Sequence, residues 1–166
     1  MAKGMIVAAG PGTRVLPLSK DLPKPMIPIL GKPVMEYLIG HLAHHGITEI
    51  MVNVAHNHHK IEQYFGDDHR WGVQLGYAYG GVREQGEVVL KPMGSAGGMR
   101  RIQDFSVFFD EITLVLCGDA LIDLDIGAAL AEHKAKGAMA SGVTLEVPLA
   151  EVPNYGIVVA NAHDHI

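Results

Sequence analysis

The feature that most limits the fold is an apolar run, Met5 to Ala9, that breaks at once into Gly10-Pro11-Gly12-Thr13-Arg14. An apolar run without alternation, bounded by glycine, is the pattern of a strand buried on both faces of a parallel sheet. The glycines let backbone N–H groups come close to an anion. Arg14 adds a fixed cation, and Lys24 adds another between Pro23 and Pro25. The stretch from Gly10 to Lys32 also carries Pro11, Pro17 and Pro28, which rules out a long helix. A structureless connection of that length inside a compact domain is usually functional. The expectation is a loop that grips the phosphates of a nucleoside triphosphate.

Downstream, strands and helices alternate. Pro33 suits the first turn of a helix running to about His45, with Val34, Leu38 and Leu42 at helical spacing and Gly46 as its stop. Ile47 to Val54 reads as a second strand. Asn57 then caps a helix to Phe65 that buries Ile61, Tyr64 and Phe65. Val73 to Tyr79 is a third strand, and Gly80 to Pro92 a hairpin or flap. A short helix follows from Ser95 to Gln103, and Ile112 to Cys117 is a fourth strand, ended by Gly118-Asp119. Asp125 caps a helix to about Lys136, and Ala138 to Glu146 and Tyr155 to Ala160 read as two more strands. This order predicts an α/β protein with a mostly parallel sheet. Ligands of such sheets sit beyond the carboxyl ends of the strands. The glycine-arginine loop after the first strand and Asp119 after the fourth are therefore expected to meet in one crevice.

Composition narrows the ligand. The chain has 166 residues, 48% hydrophobic and 19% charged, which fits one domain over 1–166 with a substantial core. Its net charge of −5 is spread in mixed patches with no basic stripe, which argues against non-specific nucleic-acid binding. A phosphorylated small molecule remains, since a few local cations suffice. The single cysteine, Cys117, permits no internal disulfide and is read as a small buried residue of a protein in a reducing, cytoplasmic compartment. Nothing resembles a signal peptide, and no apolar run approaches the roughly 20 residues that span a bilayer, so no membrane partner is expected. His41, His44 and His45, and His56, His58 and His59, cluster without structural-zinc spacing and are read as surface residues. Trp71, Tyr77 and Tyr79 are read as core or strand-face residues.

The loop is neither of two common phosphate motifs. A dinucleotide fingerprint needs a third glycine where Val15 stands, and no Gly-Lys-Ser/Thr follows to make a Walker A loop. It resembles instead the signature of the nucleoside-diphosphate-sugar pyrophosphorylases (sugar-1-phosphate nucleotidyltransferases). The chain reads Ala8-Ala9-Gly10-Pro11-Gly12-Thr13-Arg14-Val15, then Pro17-Leu18-Ser19, Pro23-Lys24-Pro25-Met26, Ile27-Pro28-Ile29 and Lys32-Pro33. Met93-Gly94-Ser95-Ala96-Gly97-Gly98, Cys117-Gly118-Asp119 and Asn154-Tyr155-Gly156-Ile157-Val158 follow in the family's order. The glucose- and mannose-1-phosphate enzymes are the nearest type.

The resemblance implies a three-layer (αβα), Rossmann-like sheet of the nucleotide-diphospho-sugar transferase type. It also implies a reaction in which a sugar 1-phosphate attacks the α-phosphorus of an NTP, giving an NDP-sugar and pyrophosphate. Ala8, Ala9, Gly10, Gly12 and Thr13 then belong to the triphosphate loop. Arg14 holds the departing phosphates, Lys24 sits near the α-phosphate or the sugar phosphate, and Asp119 holds Mg²⁺. Gly94 and Ser95 pass under the base and ribose, and Gly156 matches a sugar-site position. Two departures stand out. The Glu or Gln that usually reads the base after the third strand has no clear counterpart, with Glu84 or Gln85 as substitutes. The family's Glu-Lys-Pro segment and its second metal-binding Asp are absent before Ile166, so the chain is read as truncated at its C-terminus. The alternative is a nucleotide-binding but non-catalytic fragment or regulatory relative. A transferase making a CDP-alcohol or a molybdenum-cofactor dinucleotide is disfavoured by the match through Pro23-Lys24-Pro25 and Tyr155-Gly156. Self-association into a homo-oligomer is left open.

Overall fold

The computed structural model describes residues 1–55, 57–67, 69–84, 87–89 and 94–161. His56, Gln85, Pro92, Met93 and the final residues 162–166 lie outside the described residues. The chain divides into two compact units, Met1–Asp123 and Leu124–Ile166.

The first unit is built on a parallel sheet. Its strands are β1 (Lys3–Ala8), β4 (Glu49–Val54), β5 (Gln74–Tyr79) and β8 (Thr113–Cys117), in the order β5-β4-β1-β8. Two antiparallel hairpins stand apart from it: β2 (Pro28–Ile29) with β3 (Lys32–Pro33), and β6 (Val82–Glu84) with β7 (Glu87–Val89). The helices of this unit are α1 (Val34–His44), α2 (His58–Phe65) and α3 (Gly94–Ser106).

Successive β1 residues point to opposite faces, and each face is covered by a different helix. A Cβ added at Gly4 would lie 3.2 Å from Leu42 Cδ1, so the glycine lets α1 settle directly on that face. Met5, on the other face, is buried with Ile102 of α3 and Phe108, with Val7, Met51, Ala78 and Met99 packed around them. Burying side chains of this size stabilises the fold by roughly 1.5–3 kcal/mol each. A layer of helix on each face gives the expected αβα architecture.

The chain runs outward from β1 through β4 to β5, then returns to add β8 on the other side of β1. Val7 lies in register with Asn53 on one side and Cys117 on the other. Strand order therefore reverses between β1 and β8. The crevice beyond the carboxyl ends of such a pair is where open α/β sheets bind ligands.

Several expectations change in detail. The helix expected over Ser95 to Gln103 runs from Gly94 to Ser106, where the Ser106 hydroxyl donates to the Ile102 carbonyl at 2.7 Å. On α2, Ile61 and Phe65 are buried as expected, but Tyr64 is 37% exposed. Its hydroxyl donates to the Glu36 carboxylate at 2.7 Å, and that polar tip keeps the ring at the edge of the core. Asn57 occupies the N-cap position of α2, in the left-handed region at φ 52°, but its side chain does not make the expected capping hydrogen bond.

In the second unit, α4 (Ile126–Lys136) begins where Asp125 Oδ1 accepts from the Ala128 N–H at 2.9 Å, and ends at Gly137, φ +57°. The strands expected over Ala138 to Glu146 and Tyr155 to Ala160 do not form. A 3-10 turn at Leu149–Asn154 separates two stretches without regular structure, and Leu145 and Val159 stay more than four-fifths exposed. β-Branched residues favour a strand only when a neighbouring strand supplies hydrogen bonds and a surface to pack on, and these segments have no such ladder.

Candidate functional site

The loop after β1 folds back on itself at Gly12. This residue has φ +74°, a conformation that glycine adopts without strain. Its carbonyl accepts from Ser19 Oγ at 2.6 Å and from the Val15 N–H at 3.1 Å, closing a 3-10 turn over Thr13–Val15. A Cβ at Gly12 would lie 2.9 Å from Ser19 Cβ and 3.1 Å from Lys24 Cγ. Gly12 is thus where the loop's outward and returning limbs touch.

The returning limb is anchored by proline. Pro25 follows Lys24 in a 3-10 turn over Lys24–Met26, and Pro25 and Met26 are buried. Anchoring its neighbours fixes the direction of the Lys24 side chain. That side chain is only 17% exposed, and its Nζ lies 3.2 Å from Asp119 Oδ2.

Asp119 arrives from β8. The Gly118 N–H donates to the Val7 carbonyl at 2.9 Å, so the β1–β8 ladder continues one step past the strand. A Cβ at Gly118 would lie 3.0 Å from Ile6 Cγ2 and 3.1 Å from Pro25 Cγ. Glycine at 118 therefore lets the strand end pass beneath Pro25 and present Asp119 beside Lys24.

One open cavity of ≈ 240 Å³ results, walled by Val7, Ala8, Gly10, Pro11, Gly12, Thr13, Arg14, Lys24, Pro25, Cys117 and Asp119. Most residues expected at a triphosphate site thus share one wall, with the two cations and the carboxylate together. The remaining candidates lie elsewhere. Ala9 follows β1 without lining this cavity. Gly94, at φ +68°, and Ser95 form the exposed start of α3. Gly156 lies in the second unit, exposed and outside regular structure. Glu84 ends β6.

Two residues of the site were not foreseen from the pattern. Cys117, read as core, is exposed and lines the cavity. β8 ends the sheet order, and its last residue, Cys117, opens into the crevice. The following Gly118-Asp119 was the available signal, because it marks the carboxyl end of a strand. Ser19, 4% exposed, is the second; its hydroxyl organises the loop without facing the cavity.

Among the described residues no three His, Cys, Asp or Glu side chains gather as a metal cage. Asp119 is nevertheless suited to a hard cation: its carboxylate is 40% exposed and stands in the cavity wall. Mg²⁺ is commonly held by one or two carboxylates together with substrate phosphates, and one such carboxylate is present.

An open parallel sheet with a glycine-rich loop, two cations and a carboxylate at its switch point defines the class of α/β proteins that take a ligand beyond the strand ends. Residues 3–166 match the family model of the nucleotidyl transferases, and the chain belongs to that family. It is 52% identical to a UTP–glucose-1-phosphate uridylyltransferase from Synechocystis sp., over 99% of this chain and 42% of that protein. It is 28% identical to a mannose-1-phosphate guanylyltransferase from Mycobacterium tuberculosis, over 98% of this chain and 42% of that one. The chain therefore spans about two fifths of the length of these relatives. Among solved structures, the CTP:phosphocholine cytidylyltransferase from Streptococcus pneumoniae superposes with TM-score 0.55 at 22% identity, covering 75% of this chain and 48% of that one. A protein from Bacillus anthracis described as a glucose-1-phosphate thymidylyltransferase does so with TM-score 0.65 at 24% identity, covering 81% of this chain and 51% of that one. Both share the fold.

Proposed function

We propose that the chain supplies the nucleotide-binding side of a sugar-1-phosphate nucleotidyltransferase, with glucose or mannose 1-phosphate as the acceptor class. The observation that carries this reading is the meeting of Gly12, Arg14, Lys24 and Asp119 in one cavity at the switch point. The names of the relatives favour UTP and glucose 1-phosphate as the first pair to try.

In the proposed reaction an oxygen of the sugar phosphate attacks the α-phosphorus, and the bond from that phosphorus to the leaving pyrophosphate breaks. The attacking oxygen is already anionic, so no side chain has to remove a proton. The work of the site is to hold two polyanions together and to meet the charge that develops on the leaving group. Backbone N–H groups of the Gly10 to Thr13 loop and the Arg14 guanidinium hold the outer phosphates. Lys24 serves the α-phosphate or the incoming phosphate. The start of α3, Gly94-Ser95, supports the base and ribose, Ala8 and Ala9 border the loop, and Gly156 belongs to the sugar side. Asp119 would hold Mg²⁺, which when bound neutralises phosphate charge. The single cysteine and the nucleotide substrate suit a cytoplasmic protein.

The test is pyrophosphate release by the intact protein with each NTP, Mg²⁺ and either hexose 1-phosphate. Release that requires both substrates is the expected result. Nucleotide binding with no product from any sugar phosphate would replace this reading with a non-catalytic, nucleotide-binding role. In calorimetry, Arg14→Ala is expected to weaken triphosphate binding; an unchanged affinity removes the loop from the site.

A further inference from the structure

We propose that Asn53 is a positioning residue for the nucleotide, acting through α3. The inference rests on reading the start of α3 as a nucleotide-binding edge. Asn53 sits in β4 between Val52 and Val54, both fully buried, and is itself 2% exposed. β4 is an interior strand, flanked by β1 and β5, so an amide there has little access to water. Its Oδ1 is buried and accepts no hydrogen bond among the described residues. Buried polar atoms are nearly always partnered, and an interior parallel strand favours Val, Ile or Leu, so an orphaned amide oxygen here calls for a reason.

The reason lies against α3. A Cβ at Gly98 would fall 2.9 Å from Asn53 Cγ and 3.3 Å from its Oδ1, and closer still to its Nδ2. The amide therefore rests on bare helix backbone, one turn from the start of α3. Along the sheet, Asn53 is the register partner of Val7, which lines the loop cavity, and of Ala78. Farther along, Met99 and Ile102 seat α3 on Met5. Met51, Tyr77, Ala78, Ile102 and Phe105 border an apolar cavity of ≈ 310 Å³ under its second half. Asn53 is the close neighbour of α3 at Gly98, one turn from its start, so this contact sets how far Gly94-Ser95 stand from the triphosphate loop. A planar amide fits this gap. A side chain branched at the same carbon but ending in two methyls is bulkier and thicker and lifts the helix, and the unpaired oxygen is the cost of the thin shape.

The test uses the intact protein, UTP with Mg²⁺ in calorimetry, and thermal unfolding. Asn53→Leu removes the orphaned oxygen and is expected to keep or raise the melting temperature while weakening nucleotide binding about tenfold or more. Its KM for the nucleotide should rise with little change in kcat. Gly98→Ala is expected to weaken binding strongly in the wild-type background and only about two- to threefold when combined with Asn53→Ala, because neighbours that share space couple. Asn53→Leu with wild-type affinity and a wild-type KM overturns the proposal, as does a Gly98→Ala penalty that is the same in both backgrounds. A wild-type protein that binds none of the four NTPs overturns the functional reading and this inference with it. Wild-type binding that Arg14→Ala weakens but the Asn53 variants leave intact overturns this inference alone.

Discussion

Lys24 Nζ and Asp119 Oδ2 stand 3.2 Å apart, so a cation and a carboxylate brought from two strand ends are paired across the mouth of the β1/β8 crevice. Phosphate and a cation entering this cavity would compete for the two partners. The pair is partly exposed and contributes little to stability, on the order of 0–1 kcal/mol. Lys24→Met is therefore expected to leave the unfolding free energy within about 1 kcal/mol of wild type. Turnover, measured as pyrophosphate release, should fall by about 10²–10³. A large loss of stability with normal turnover would make the pair structural. Asp119→Asn is expected to raise the Mg²⁺ concentration needed for half-maximal turnover; an unchanged Mg²⁺ dependence would place the metal elsewhere.

Gly12 and Gly10 offer an internal control. Alanine at 12 must adopt φ +74° and approach Ser19 Cβ to 2.9 Å, whereas a Cβ at Gly10 meets nothing within 4 Å. Gly12→Ala is expected to destabilise the protein by about 1–3 kcal/mol. Gly10→Ala should change folding by no more than about 0.5 kcal/mol. Denaturant unfolding of both variants decides the matter, and equal effects would show that the loop does not close on Gly12.

Lys3 Nζ lies 2.6 Å from Asp110 Oδ1 and ties the start of β1 to the 3-10 turn before β8. The Lys3 hydrogen bond holds the Asp110 carboxyl below its ordinary 3.8, and the same bond raises Lys3 above 10.5. A carboxylate with a lowered folded pKa stabilises the fold above its unfolded pKa and loses that contribution as pH falls through the folded value. A raised lysine contributes below 10.5 and loses its contribution as pH rises past it. Asp110→Asn is expected to lower the melting temperature at neutral pH, with the gap to wild type closing as pH falls below 3.8. A gap that is constant from pH 7 to pH 2 would deny the pair a role.

Asp125 caps α4 through the Ala128 N–H. Asp125→Ala should cost about 0.5–2 kcal/mol. Hydrogen exchange at Ala128 should quicken first, and unchanged protection there would mean that the cap is dispensable.

Much of the candidate site's layout was legible in the sequence. Gly10 to Arg14, Pro23 to Pro25 and Gly118-Asp119 mark two strand ends with the residues a phosphate site needs, and both limbs reach one cavity. The apolar run at Met5 and the spacing of Val34, Leu38 and Leu42 likewise mark β1 and α1. Residues 138–146 and 155–160 misled for the opposite reason: their composition favours strand, but a strand exists only where a ladder partner is present.

The sequence alone determined the alternation of strands and helices and which residues carry charge beside glycine, because apolar periodicity and backbone freedom are local properties. Only the tertiary structure decided that β8 returns beside β1 and brings Asp119 to Lys24. The same return leaves Cys117 on the crevice wall rather than in the core. Tertiary packing likewise set Asn53 against Gly98. Those outcomes depend on strand order and helix approach, contacts between residues distant in the chain that no single segment encodes.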